Sequence, residues 1–440
     1  MTLPAWFLNL PVLSPGSRRL VVAIGVLLLV ALLVRRGRRW GLIAVGAALV
    51  GAGLGAMLIW ALEGPLQVTG PPLPTAARAW IIAGMAGVGV AVANVWRARW
   101  RRRLAAAATI PLLIVVAALG VNAAYGVNST LGLVIGISQG PRIALPTAAP
   151  ARANAAARQG PLGSLWVPPG DLPSHGRQGL ADIPGAISHF AARPAGVYLP
   201  PAALVANPPR LPVLVFMMGQ PGSPDITFVA RALDNYAAKH RGLAPIAVVA
   251  DQLGSPLHDT LCSDTSTYGR AETYLNVDVP NYIRSHLGVS TKRTDWAIGG
   301  YSNGGLCAIR FAARHPDLWG GALDIAGEAF PGSDRPQITL DRFFKGDHAA
   351  YAQERMTTIL GQNRYRDLTA IFTISLDDPH HLQGARQVAD AARTAGMDTT
   401  LIEFPNGGHG VGTLTQGLEA GIQVLAHRFG LQPRPGGTTH

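Results

Sequence analysis

Gly300-Tyr301-Ser302-Asn303-Gly304 is a G-x-S-x-G pentapeptide. A serine hydroxyl becomes a nucleophile when a base takes its proton and an acid orients that base. With 52 glycines in the chain the pentapeptide alone carries little weight; its setting carries more. Thr294 to Gly299 (TDWAIG) reads as a buried strand leading in, and Gly305 to His315 as an amphipathic helix leading out. That strand–turn–helix context is what a nucleophile elbow requires, with flanking glycines permitting a turn that lifts the serine oxygen above the sheet. The acid and the histidine should then follow in that order, each just past a strand. Asp377-Asp378-Pro379 follows the run TAIFTISL (369–376), and PNGGHG, with His409, follows TTLIEF (399–404). Ser302, Asp378 and His409 are therefore the expected nucleophile, acid and base, and Asp377 is the alternative acid. Asn303, just after the nucleophile, and Gln220, after Gly219 in the loop beyond PVLVFM, are placed to offer two backbone N–H groups to an oxyanion. This chemistry needs no cofactor. The pair His380-His381 lacks a spaced partner and is poor evidence for a metal, so none is expected.

The elements that must position these residues alternate. Strands are expected at 196–199, 212–217, 245–250, 294–299, 369–376 and 399–404, and helices at 227–240, 272–287, 305–315, 382–394 and 412–429. Continuous apolar strands interleaved with helices indicate an α/β domain with a mostly parallel sheet, whose sites lie at the carboxyl ends of strands.

The first third of the chain is different. Of 440 residues, 48% are hydrophobic and only 14% charged, and the net charge is +12. Residues 1–150 carry all of that excess, with 13 arginines, no lysine and one acid, Glu63; the rest holds 24 basic and 24 acidic side chains. The charge sits between apolar runs, which argues for a membrane-topology signal and against a nucleic-acid partner. About four spans are expected, near 20–34, 41–62, 79–96 and 104–121. The first is 15 residues, about 22 Å, short of a core of roughly 30 Å. A cleaved signal peptide is its rival reading, but no small-residue cleavage site follows. The loops RRGRR and RARWRRR are expected in the cytoplasm, which puts both ends of the chain outside. GAGLGA (51–56) resembles a dinucleotide loop, but it lies inside an apolar run where small residues let membrane helices pack closely. The expected organisation is a transmembrane region 1–127, a Pro/Gly/Ala/Arg-rich linker 128–183, a catalytic domain 184–430 and a flexible tail 431–440.

Two cysteines, Cys262 and Cys307, in an outward-facing domain suggest one disulfide; two separate residues, with Cys307 buried as a small apolar group, are the alternative.

The stretches VYLPPA, PVLVFMMGQPG, AETYLNVDVPNYI, WAIGGYSNGGLCAIRFAARHPDLWGGALDIAG and PNGGHG, within roughly residues 186–430, resemble the esterase family of the α/β-hydrolase superfamily. That family includes enterochelin-esterase-like proteins, S-formylglutathione hydrolases and mycolyltransferases. The resemblance implies an α/β-hydrolase domain with Ser302, Asp378 and His409 as triad and Gly219-Gln220 and Asn303 at the oxyanion site. The family's usual His-Gly is Met218-Gly219 here, and the tryptophan common after the histidine is missing from GGHGVGTL. The apolar front end points to envelope esterases of high-GC bacteria. The expected activity is a membrane-anchored serine esterase acting outside the cytoplasmic membrane, on an ester such as a lipid or aminoacyl-lipid. An acyltransferase with the same triad, or a non-catalytic envelope scaffold, are the alternatives.

Overall fold

The computed structural model describes residues 4–432 except 36, 38, 67–71, 97, 138–139, 144 and 146–159. The chain forms two compact units, Met1–Val134 and Ile135–His440. Residues 138–139, 144 and 146–159 of the expected linker, and 433–440 of the expected tail, lie outside the described residues.

The first unit holds four helices long and apolar enough to cross a membrane: α1 (Pro15–Leu33), α2 (Trp40–Glu63), α3 (Thr75–Val95) and α4 (Trp100–Tyr125). Helix α1 starts earlier than expected because Ser14 caps it, accepting from Ser17 N at 3.1 Å, with Pro15 at the first helical position. It takes in Arg18 and Arg19 and reaches 19 residues, about 28 Å at the helical rise. The glycines of 51–56 serve packing: a Cβ on Gly51 would lie 2.2 Å from the Met85 carbonyl oxygen on α3. At the arginine-rich end, buried Asn94 donates to Leu32 O at 3.2 Å and accepts from Arg102 Nε at 2.8 Å, joining α3 to α1 and α4.

The second unit is built on eight strands: β1 (Arg177–Ala181), β2 (Ala195–Leu199), β3 (Val213–Met217), β4 (Ile246–Val249), β5 (Trp296–Tyr301), β6 (Gly321–Ile325), β7 (Thr369–Ser375) and β8 (Asp398–Phe404). Their order is β1-β2-β4-β3-β5-β6-β7-β8. Strand β2 is antiparallel to both neighbours, and all pairs from β4 to β8 are parallel. Helix α5 (Thr227–Lys239) precedes β4, α6 (Asn303–Arg314) follows β5, α7 (Pro379–Thr394) follows β7 and α8 (Val411–Arg428) follows β8. Helix α6 packs on β3, β5 and β6, α7 on β7 and β8, and α8 on β6, β7 and α5. Layers on the sheet leave every residue of β3, β4, β5, β6 and β7 buried, which is why these strands read as apolar runs without alternation.

Three readings change. Strand β1 lies inside the expected linker, pairing with β2 from Arg177↔Leu199 to Ala181↔Ala195. The segment before it is ordered too: Trp166 is buried, its Nε1 donates to Arg241 O at 2.9 Å, and Gly163 N donates to Gly430 O at 2.8 Å. Strand β6 was not anticipated, because GALDI is short, rich in small residues and carries an acid, Asp324. The helix expected at 272–287 runs over 271–286 but is irregular: a π-helical turn at Tyr274–Asp278 lies between Ala271–Thr273 and Val279–His286. Pro280 has no N–H to give and would clash with the carbonyl four residues back in a regular helix.

Strand β1 covers the edge of β2, whose backbone would otherwise be unpaired. A fragment beginning at residue 184 should therefore melt at least about 5 °C below one beginning at 160, measured by calorimetry. Equal melting temperatures would show that the 160–183 segment contributes nothing to stability.

Candidate active site

Because β3, β5, β7 and β8 run parallel, their carboxyl ends open on one edge of the sheet. Strand β5 runs to Tyr301 and α6 begins at Asn303, so Ser302 alone makes the turn. Its backbone sits at φ 56°, ψ −123°, a conformation that costs a non-glycine residue on the order of 1–3 kcal/mol. Ser302 N donates to Ile325 O at 2.9 Å, and Ser302 O accepts from Gly305 N at 2.8 Å. The two motif glycines are needed for closeness. A Cβ on Gly300 would fall 2.0 Å from Gly304 O, and one on Gly304 would fall 2.3 Å from Met217 O.

Ser302 Oγ donates to His409 Nε2 at 2.9 Å, and His409 Nδ1 donates to Asp378 Oδ2 at 2.7 Å. Ser302 and Asp378 are buried and His409 is partly exposed, as a base that must meet substrate should be. It is Asp378 that meets the histidine, and Asp377, the alternative acid, does something else. Its carboxylate accepts from Gly408 N at 2.7 Å and from the Ser375 hydroxyl, which holds the loop carrying His409. Burial pushes the Asp378 carboxyl up, but hydrogen bonds from His381 and His409 outweigh this and hold it well below the usual carboxylate range. Burial lowers His409, the charge of His381 lowers it further, and the bond to Asp378 offsets these only in part. The base is thus held neutral and ready to accept a proton.

Asn303 is the first residue of α6, where a backbone N–H has no intrahelical acceptor. Its side chain is held on both sides, Oδ1 accepting from Gln252 at 3.3 Å and Nδ2 donating to Asp259 at 3.4 Å. Gly219 lies against the nucleophile: a Cβ there would be 3.1 Å from Ser302 Cβ. The Gln220 side chain is tied down, accepting from Arg335 at 3.1 Å and donating to Leu257 O at 3.1 Å. Gly219 and Asn303 thus lie beside Ser302, and the Gln220 side chain that follows Gly219 is anchored. Tyr301 stacks on the His409 ring at 5.4 Å between centroids.

Cys262 and Cys307 are joined by a disulfide, with Cα atoms 5.1 Å apart. It ties the loop after β4 to α6, one turn beyond Asn303.

Sequence reasoning sees His381 only as half of a weak metal pair and does not single out Asp334. His381 Nδ1 donates to both Asp378 oxygens at 3.0 Å. Asp334 accepts from His380 Nε2 at 3.0 Å and lies 3.5 Å from His381 Nε2. Asp334 in GSDRPQ (332–337) carries no local signal of a partner 46 residues away at His380. Among the described residues, Asp334-His380-His381 and Asp378-His381-His409 have metal-ligand spacing. Each histidine of the two sets already donates one ring N–H to a carboxylate, and we assign neither set a metal.

A nucleophile elbow on a mostly parallel sheet, with a hydrogen-bonded serine, histidine and aspartate at strand ends, defines an α/β-hydrolase. The chain belongs to the esterase family: the family model described as "Putative esterase" matches residues 191–413. An uncharacterized protein of Corynebacterium glutamicum is 32% identical over 255 residues, covering 56% of this chain. The chain spans 59% of the length of that relative. Among solved structures, a ferulic acid esterase is similar at 17% identity, with 58% of this chain and 99% of that one covered and a TM-score of 0.49. An S-formylglutathione hydrolase from Agrobacterium tumefaciens is similar at 18% identity, with 58% and 97% covered and a TM-score of 0.48. Among the described residues, four helices long and apolar enough to cross a membrane precede the matched region.

Two measurements follow from the site. With His409 held low, kcat/KM for a chromogenic ester should lose activity only below about pH 6.5, the ordinary histidine value. An acid limb centred above pH 7 would contradict the environment described for His409. Replacing both cysteines by serine should cost about 3 kcal/mol, seen as a fall in Tm of about 6 °C or more for a domain of this size. An unchanged Tm would mean that the bridge does not stabilise the domain.

Proposed function

We propose that the protein is a membrane-anchored serine esterase that hydrolyses an ester on the outer side of the cytoplasmic membrane through an acyl-enzyme on Ser302. The observation that carries this reading is the continuous chain from Ser302 Oγ through His409 to Asp378, at 2.9 and 2.7 Å. His409 Nε2 takes the Ser302 proton as Oγ attacks the ester carbonyl, and the resulting oxyanion is met by the N–H groups of Asn303 and Gln220. His409 then gives the proton to the leaving alcohol, and the acyl group stays on Oγ. Water, deprotonated by His409, attacks the acyl-enzyme; the acid leaves and Ser302 regains its proton. Asp378 holds the imidazole in the tautomer with hydrogen on Nδ1 and stabilises it while it is charged.

The arginine-rich loops between the first and second, and the third and fourth, apolar helices support a cytoplasmic placement for both loops and an outer placement for the catalytic unit. A tether of four spans favours a substrate that is itself held in the bilayer, such as an acylated or aminoacylated lipid. The bilayer is then the protein's partner as well as its anchor.

A fluorophosphonate probe should label the full-length protein, and Ser302→Ala should abolish labelling. Labelling that survives the substitution would remove Ser302 from its role, and a wild-type protein that does not react would favour a non-catalytic scaffold. Cells carrying Ser302→Ala should accumulate an envelope ester seen by lipid mass spectrometry. Transfer of the acyl group to an added alcohol in preference to water would identify an acyltransferase.

A further inference from the structure

The triad acid has two histidines, and the mechanism uses one. Asp378 accepts from His409 through Oδ2 at 2.7 Å and from His381 Nδ1 through both oxygens at 3.0 Å. The second ring is 3% exposed and stacks on the first, with centroids 4.1 Å apart and planes 21° from parallel. Its far nitrogen faces Asp334, 3.5 Å away. An ionised carboxylate can only accept, so His381 must carry hydrogen on Nδ1.

We propose that His381 is a positioning residue of the esterase site, clamping Asp378 beside His409 and keeping a positive charge under the ring of the base. The proposal rests on the triad reading above. Two carboxylates, Asp378 and Asp334, flank the imidazole, and Asp324 and Glu328 also act on it from the β6 end and the loop beyond it. His380, its neighbour in the chain, is turned to Asp334. Burial lowers His381, but its contacts with Asp334 and Asp378 outweigh this and push it up to about 10. The two carboxylates therefore favour its charged form. The groups acting on His409 are Asp378 and Asp334, which favour its protonation, and His381, which opposes it.

The clamp does two things. It satisfies the lone pairs of Asp378 that His409 leaves free, so that the carboxylate stays ionised and fixed in its burial. It also cancels part of the field of Asp378 at His409, so that the base is not captured by a proton before substrate arrives. A histidine placed only for packing would do neither.

The test is the pH dependence of fluorophosphonate labelling of Ser302 in the full-length protein, which needs no knowledge of the natural ester. His381→Asn keeps a donor and removes the charge; His381→Gln is made alongside it, and each is used only if its melting temperature is near that of the wild type. The expected result is a plateau rate within about tenfold of wild type and an acid limb moved to higher pH by about one unit. A limb that coincides with the wild type in a folded variant overturns the proposal while leaving the triad standing. Absence of Ser302-dependent labelling in the wild type overturns the triad, and the proposal with it.

Discussion

Ser302 occupies a backbone conformation that an L-residue adopts only under constraint, with φ at 56°. Everything around it supplies that constraint. The pairing of β5 with β3 and β6 fixes the chain up to Tyr301, and α6 fixes it from Asn303 onward, so the strain falls on one residue. Gly300 and Gly304 let the two segments approach at distances that no side chain would allow. The outcome is a hydroxyl held above the sheet edge and the first N–H of a helix beside it. A looser turn would be less costly, but it would leave both groups free to move away from the carbonyl they must meet together.

The electrostatics of the site follow from the same edge. Carboxylates gather there: Asp324, Glu328 and Asp378 are buried, and Asp259 and Asp334 are half-buried. Burial pushes Asp324 up to about 7 and Glu328 well above its ordinary value. Asp334 and Asp378 go the other way, because His380, His381 and His409 donate to them. One set of acids is thus held towards neutrality and the other is held ionised, and the divide follows the histidines. Asp378 is on the ionised side, as an acid that orients an imidazole must be.

The two units of the chain are packed by different rules. In the first unit small residues and a few polar links, such as Asn94 with Arg102, let apolar helices pack with one another. In the second unit burial within a layered sheet does the same work, Trp166 and β1 close its margins, and a buried disulfide ties α6 to the loop after β4.

The sequence by itself determined the order of the chemistry: a serine on a turn between a buried strand and a helix, then an acid and a histidine each past a strand. These are local patterns, set by apolar runs and glycines a few residues apart, and they also located the four apolar helices. Three things could not be read locally. Asp377 and Asp378 are adjacent and chemically identical, and only the direction in which each side chain leaves the end of β7 decides which one meets His409 and which one holds its loop. Strands β1 and β6 lack an apolar pattern, and they become strands because neighbours offer them backbone hydrogen bonds. His381 looked like half of a weak metal motif until the fold brought Asp334 and Asp378 to its two nitrogens. Contacts between residues far apart in the chain depend on how the sheet is ordered and on which ends of its strands coincide, and no short stretch of sequence carries that information.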